Sequence, residues 1–77
     1  MPHNNEIKFS KREKEILKLI MEGFSRKMIK AALKLSINTV DDYLKSVRHK
    51  TSTHSRAELL HFLYKNQALL LDAEIAA

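Results

Sequence analysis

The sequence predicts an all-α fold of four helices, and three observations support this prediction. Apolar residues recur at intervals of three and four along most of the chain and nowhere alternate as a strand would require. Four serines each precede such a stretch at the position of a helix N-cap. The single glycine, Gly23, follows the first stretch, where helices commonly end in a left-handed residue.

The length of the chain limits it to one domain. A chain of 77 residues builds one small core, which supplies about 3–5 kcal/mol of stability. We assign residues 9–77 to this domain. Residues 1–8 are polar and show no periodicity, so we predict a flexible tail or the end of a linker there.

The first helix is predicted over residues 11–22. Ser10 and Glu13 have the spacing of a capping box, in which the serine oxygen and the glutamate each accept a free backbone amide. Arg12 is expected to pair with Glu15 on this helix. The buried face is predicted to carry Ile16, Leu17 and Ile20.

Two further helices follow, joined by a short turn. Ser25 caps a helix predicted over 26–35, whose narrow apolar face carries Met28, Ile29, Ala32 and Leu33. Ser36 caps a helix predicted over 37–50, whose buried face carries Ile37, Val40, Leu44 and Val47. Those four lie within about 80° of arc on a helical wheel. A polar line on the opposite side carries Asn38, Asp42, Lys45 and His49.

The fourth helix is predicted to run from a second capping box, Ser55 and Glu58, to about Leu71 or beyond. Arg56 is expected to pair with Glu58. Apolar groups lie on nearly every side of this helix, which favours burial against a second copy of the chain. The dimer contacts are predicted at Leu59, Phe62, Leu63 and Leu70. Alternatively, residues 69–71 pack back on the first helix or contact another domain.

Positive charge is concentrated in the second and third helices. Residues 26–50 contain seven lysines and arginines against two aspartates, while the rest of the chain is balanced, so the whole formal charge of +5 lies here. Such a concentration is typical of a surface that meets phosphate groups.

Composition argues against several other functions. The chain has no cysteine, its four histidines form no metal-binding pattern, and it lacks both a membrane-length apolar run and the apolar core of a signal peptide. The adjacent carboxylates Asp41 and Asp42 diverge by about 100° on a helix, so they do not converge on a substrate. The sequence therefore predicts a soluble cytoplasmic protein that is not an enzyme, has no catalytic residues and needs no metal or cofactor.

A helix, a tight turn and a second helix with a polar outer line form a helix-turn-helix motif. From Phe9 to about Leu60 the chain resembles the DNA-binding domain of LuxR/GerE-type bacterial response regulators and quorum-sensing regulators. The matching residues are Phe9, Ser10, Arg12, Glu13, Glu15, Ile16, Leu17, Gly23, Ser25, Lys27, Ile29, Leu33, Ser36, Thr39, Val40, Lys50 and the run from His54 to Glu58. The resemblance implies a compact four-helix domain whose third helix reads bases and whose fourth helix mediates dimerisation.

We therefore expect a transcription regulator that binds double-stranded DNA, with the recognition helix 37–50 in the major groove. It is expected to act as a homodimer, preceded by a sensing domain if the chain is part of a longer regulator. The residues predicted to contact DNA are Lys27, Lys30, Lys34, Asn38, Thr39, Asp42, Lys45, Arg48, His49 and Lys50. Of these, Lys45 is best suited to a base edge and Lys50 to a phosphate.

The chain departs from the family pattern at three notable positions. Thr51 and Ser52 stand where the family commonly has Leu-Gly, which indicates a changed loop. Asp41 replaces a cation, and an acid near phosphate repels it. Either Asp41 and Asp42 are favoured by the dipole at the start of the helix, or Asp42 accepts a hydrogen bond from cytosine.

Two other functions remain as alternatives. One is a protein-interaction module that keeps the fold and modulates a partner regulator, which the two aspartates would suit. The other is a promoter-binding domain similar to region 4 of a sigma factor, although the long apolar fourth helix is not typical of such a domain.

Overall fold

Four helices and a short 3₁₀ segment make up the fold of residues 7–70. The structure is a computed structural model that describes residues 7–70. The helices are α1 (Lys11–Met21), α2 (Arg26–Leu33), α3 (Ile37–Thr51) and α4 (Arg56–Lys65), and the 3₁₀ segment is Gln67–Leu70. No strand occurs between residues 7 and 70, which confirms the predicted all-α fold. Residues 1–6 of the predicted tail lie outside the described residues.

Each helix begins at the serine that the sequence predicts. The serine Oγ accepts the amide N–H three residues on at 3.1 or 3.2 Å, at Ser10, Ser25, Ser36 and Ser55. The first capping box is complete, because Glu13 accepts the Ser10 amide at 2.8 Å. The second differs from the prediction, because Glu58 accepts the amide of His54 at 2.7 Å.

The first three helices end in the same way, within two residues of the predicted positions. A residue with positive φ closes each one: Gly23 at 95°, Lys34 at 57° and Ser52 at 57°. The next amide then bonds to the carbonyl five residues earlier, at 3.0 to 3.1 Å. This pattern is the Schellman motif, which satisfies carbonyls that the helix itself leaves free.

The core lies between α1, α3 and α4. Its buried residues are Phe9, Ile16, Leu17, Ile20, Ile29, Val40, Leu44, Val47, Leu59, Leu63 and Leu70. From α2 only Ile29 is buried, while Leu33 is half-buried. The predicted face of α2 was therefore too wide, since Met28 is 50 % exposed and Ala32 is also exposed. An eight-residue helix that packs beside α1 and α3 presents only a narrow strip to the core.

The fourth helix is shorter than predicted. It ends at Lys65, where Asn66 leaves the helical conformation at φ −130° and ψ 44°. The Asn66 side chain donates to the Phe62 carbonyl at 2.8 Å, a local bond of the kind that competes with helix continuation. The 3₁₀ segment then brings Leu70 into the core. Leu71 lies outside the described residues.

Two arginines stabilise the helices through side-chain contacts. Arg12 pairs with Glu15 at 3.0 Å, as predicted. The predicted pairing of Arg56 with Glu58 was wrong, but its role is structural as expected, because its guanidinium donates to the carbonyls of Phe24 and Ile20 at the end of α1. The start of α4 is thereby joined to the C-terminal end of α1.

Candidate nucleic-acid interface

The third helix has one buried face and one exposed face. Val40, Leu44 and Val47 are buried, and Ile37 is half-buried at the start of the helix. The opposite line is exposed and carries Asn38, Asp42, Lys45 and His49. Because the buried face fixes the helix in the domain, these four polar side chains point outward on a rigid support.

The turn between α2 and α3 sets the start of this helix. Lys34 closes α2 in the left-handed conformation, and Ser36 is already the N-cap of α3. The Ser36 hydroxyl accepts the Thr39 amide at 3.1 Å and donates to the Thr39 hydroxyl at 2.9 Å. Thr39 is half-buried, so the structure gives this predicted contact residue a part in the cap.

The lysines of α2 flank the N-terminal end of α3. Lys27 and Lys30 line a hollow of about 380 Å³ together with Ile37. Lys34 is exposed at the turn. The predicted phosphate-contacting lysines therefore lie around the point at which α3 begins.

Further along α3, cations line two hollows. One, of about 320 Å³, is lined by Arg26, Asp41, Leu44, Lys45 and Arg48. The other, of about 410 Å³, is lined by Lys45, Arg48, His49, Ser52, Thr53 and His54. The Arg48 Nε atom is buried and has no hydrogen-bond partner among residues 7–70. Lys45 and Arg48 thus border both hollows beside the outer line.

Asp41 has a partner that the sequence did not reveal. Its carboxylate accepts two hydrogen bonds from Arg26, at 2.7 Å from Nε and at 3.0 Å from Nη2. The hydrogen bond from Arg26, together with the charges of Arg26 and Arg48, holds the pKa of Asp41 below its ordinary value. The first turn of α3 contains no acid, so the helix dipole is not what accommodates Asp41.

Lys50 is engaged within the domain. Its ammonium donates to the Glu13 carboxylate at 2.7 Å and to the Lys8 carbonyl at 3.0 Å, and it lies 6.0 Å from the centre of the Phe9 ring. These contacts give Lys50 a role in joining α3 to α1. A contact with phosphate stays a prediction for this residue.

The predicted dimer contacts need correction. Leu59, Leu63 and Leu70 are each at most 5 % exposed because they fill the core of their own domain. They are therefore not available to a second copy. Phe62 is half-buried and borders a mainly apolar hollow of about 530 Å³ on the outer side of α4. The other residues lining this hollow are Thr53, Ala57, Glu58, His61, Lys65 and Asn66.

Sequence reasoning missed Arg26 as a site residue. Arg26 was counted only as one of the basic charges. No short-range sequence pattern indicates that it pairs with Asp41, which lies 15 positions away. The only available clue was an unmatched acid at Asp41 on a surface otherwise rich in cations.

Other classes of site receive no support in the described part of the chain. No group of three histidines or carboxylates between residues 7 and 70 is placed to hold a metal ion. Within the same residues, no helix has the length and apolar character needed to cross a membrane.

Fold and surface together are those of a helix-turn-helix domain. The chain belongs to the luxR family of bacterial regulatory proteins, whose model matches residues 8–63. This membership confirms the resemblance found in the sequence and argues against the sigma-factor alternative.

Similar proteins are regulators of greater length. A probable transcriptional regulator, ycf29 of Cyanophora paradoxa, is 37% identical over 67 residues, which cover 87% of this chain and 32% of that protein. The response regulator Rre1 of Synechocystis is 38% identical over 61 residues, which cover 79% of this chain and 26% of that protein. The chain thus spans only about a quarter to a third of these relatives.

A solved structure with the same fold is that of the Vibrio cholerae VqmA dimer in the absence of target DNA, a LuxR-type receptor. It matches with a TM-score of 0.78 and 26% identity, over 86% of this chain and 30% of that one.

Proposed function

We propose that the chain is the DNA-binding domain of a transcription regulator and that α3 enters the major groove of double-stranded DNA. The observation that carries this proposal is the exposed line Asn38, Asp42, Lys45 and His49 on a helix whose other face is buried. A helix of this kind presents side chains to base edges while the body of the domain keeps its orientation.

Phosphate contacts are proposed on both sides of the recognition helix. Lys27 and Lys30 lie beside its N-terminal end, while Arg48 lines the hollows farther along it. The two DNA strands run on either side of a helix seated in the major groove, so this distribution of cations suits backbone contact. These contacts supply affinity and fix the register.

Base reading is proposed for three residues of the outer line. Asn38 has the amide that pairs with adenine, and Lys45 has donors for the acceptors of guanine. The Asp42 side chain has no hydrogen bond or ion pair with any residue between 7 and 70, so its carboxylate remains available to a cytosine amino group.

We also propose that two copies bind together through the outer side of α4, around Phe62 and His61. The relative VqmA is described as a dimer, and twofold symmetry would place two recognition helices on neighbouring half-sites. An upstream sensing domain, which the family resemblance implies, stays a prediction.

The alternative of a protein-interaction module is less well supported by the geometry. Its main support was the pair of acids on α3, and Arg26 neutralises one of them. A domain that only bound protein would show no salt-dependent binding to DNA, so one titration distinguishes the two functions.

The test is a titration with random duplex DNA at several salt concentrations. We expect affinity to fall with a log–log slope of about −0.9 per neutralised phosphate. Replacement of Lys27, Lys30 and Lys34 by alanine should make the slope less steep by about one unit per lost contact, without changing sequence preference.

A matched control removes three exposed lysines elsewhere, namely Lys11, Lys18 and Lys65. This variant loses the same charge, and its slope should stay close to that of the unaltered protein. Absence of DNA binding by the unaltered protein would contradict the proposed function. If the two triple variants changed the salt slope equally, the α2 lysines would not be part of the DNA interface.

A further inference from the structure

The pairing of Arg26 with Asp41 joins the two helices of the motif at the proposed DNA surface. Arg26 is the first residue of α2, and Asp41 lies in the second turn of α3. Both side chains remain about half exposed, at 52 % and 44 %. An exposed ion pair of this kind adds little to the stability of the fold, so stabilisation does not explain why the two residues are paired.

The geometry of the pair leaves one edge of the guanidinium free. Arginine has five N–H donors in a rigid plane. Asp41 accepts from Nε and from one hydrogen of Nη2, and no residue between 7 and 70 accepts from Nη1 or from the second hydrogen of Nη2. Because the group is planar, a carboxylate that holds one edge also sets the direction of the other. The free edge has the fork geometry that matches a phosphate.

The surroundings are suited to an anion. Arg26 and Asp41 line their hollow together with Lys45 and Arg48, so three cations surround one acid. Lys45 also belongs to the exposed line of the recognition helix. The hollow therefore lies directly beside the surface that is proposed to face the major groove.

We propose that Asp41 is a positioning residue, whose carboxylate holds Arg26 so that the free edge of the guanidinium binds one DNA backbone phosphate beside the recognition helix. This inference rests on the DNA binding proposed above. It gives Asp41 a role in binding DNA rather than in repelling it.

Two opposing effects decide what loss of the carboxylate does. Removing a negative charge lessens repulsion of the phosphate, which by itself tightens binding. It also releases a long side chain, which then loses conformational freedom when it meets DNA. The carboxylate lies on the edge of the guanidinium away from the phosphate, and solvent screens its repulsion. We therefore expect the loss of positioning to dominate.

The experiment measures random-duplex binding by Asp41→Asn, Arg26→Gln and the double variant, over a range of salt. Asparagine keeps one acceptor for Arg26 but loses the charge and the second acceptor. Asp41→Asn should weaken binding several-fold and reduce the steepness of the salt slope by about 0.9, the value of one phosphate. In the Arg26→Gln background the same change should weaken binding no further. Asp41→Glu, which keeps a carboxylate, should retain more affinity than Asp41→Asn.

The matched control is Glu22→Gln, which removes the same charge from an exposed residue at the C-terminal end of α1, outside the proposed DNA surface. It should not weaken random-duplex binding. Circular dichroism checks that each variant is folded. Tighter binding by Asp41→Asn, or equal weakening with and without Arg26, would overturn the inference while leaving the proposed function intact. Failure of the unaltered protein to bind DNA would overturn both.

Discussion

Glu13 is only 4 % exposed although it is a charged residue. Its carboxylate accepts the Ser10 amide at 2.8 Å, the Ser46 hydroxyl at 2.8 Å and the Lys50 ammonium at 2.7 Å. Burial raises its pKa, but the hydrogen bonds and the charge of Lys50 outweigh burial, so the pKa lies below its ordinary value. Glu13 thus serves both as part of the α1 cap and as the point where α3 is attached.

This environment predicts a pH dependence of stability. The unfolded chain takes up a proton at the ordinary glutamate pKa, whereas folded Glu13 resists protonation until a lower pH. The contribution of Glu13 is therefore complete above the ordinary pKa and is lost as pH falls through the lowered one. Glu13→Gln should reduce the free energy of unfolding by about 1–3 kcal/mol at pH 7, and the difference should shrink in acid.

Urea unfolding at a series of pH values measures both effects. Glu15→Gln is the matched control, because Glu15 lies on the same helix in a more exposed pair with Arg12. That change should alter stability by less than about 1 kcal/mol. A Glu13→Gln effect as small as the control, or one that grows in acid, would contradict the interpretation.

Three helices end in a left-handed residue although the chain has a single glycine. Gly23 adopts its positive φ at little cost, whereas Lys34 and Ser52 adopt the left-handed conformation with a side chain present. The sequence indicated a changed loop at Ser52, where the family commonly has glycine. The structure shows a left-handed backbone at Ser52, with the Thr53 amide bonded to the Arg48 carbonyl at 3.0 Å.

Ser52→Gly is therefore expected to stabilise the domain. Relief of the left-handed strain, about 1–2 kcal/mol, exceeds the entropy that glycine adds to the unfolded chain, about 0.5–1 kcal/mol. A net gain of about 0.5–1 kcal/mol should raise the urea midpoint. Ala31→Gly, at an exposed position within α2, should lower the midpoint by a similar amount. A lower midpoint for both variants would argue against the strain at Ser52.

At the scale of the whole molecule, the burial of the α4 leucines changes where a dimer could form. Leu59 and Leu63 complete the core, so only the outer side of α4 remains for a partner. That side has the hollow bordered by Ala57, His61 and Phe62. In the proposed dimer, a small apolar surface of this kind would give weak association, which DNA would reinforce by holding two copies close together.

Ala57→Glu tests this proposal by placing like charges at the twofold contact. We expect the variant to lose cooperativity between two half-sites of a palindromic duplex while its binding to a single half-site is little changed. Sedimentation equilibrium with and without the palindrome measures the association. Ala68→Glu, at an exposed position outside the hollow, is the control. Strictly independent half-site binding by the unaltered protein would contradict the proposed dimer.

The helix starts, the helix-turn-helix and the exposed line of α3 could all be predicted from the sequence. They depend on interactions of short range, because a serine cap reaches three residues along the chain and helical periodicity is set by the backbone. The ends of α1 to α3 were close to prediction for the same reason. The end of α4 was not, since an asparagine side chain and the return of Leu70 to the core determine it.

Only the tertiary structure decided the long-range partners of Asp41 and Glu13 and the neighbours of the α4 leucines. The Asp41–Arg26 pair spans 15 positions and the Glu13–Lys50 pair spans 37, so helix packing brings their members together. In the same way, α4 has apolar groups on several sides, and the position of α1 and α3 selects which side is buried. A sequence pattern specifies that a face is apolar or charged, but its partner depends on how the helices cross.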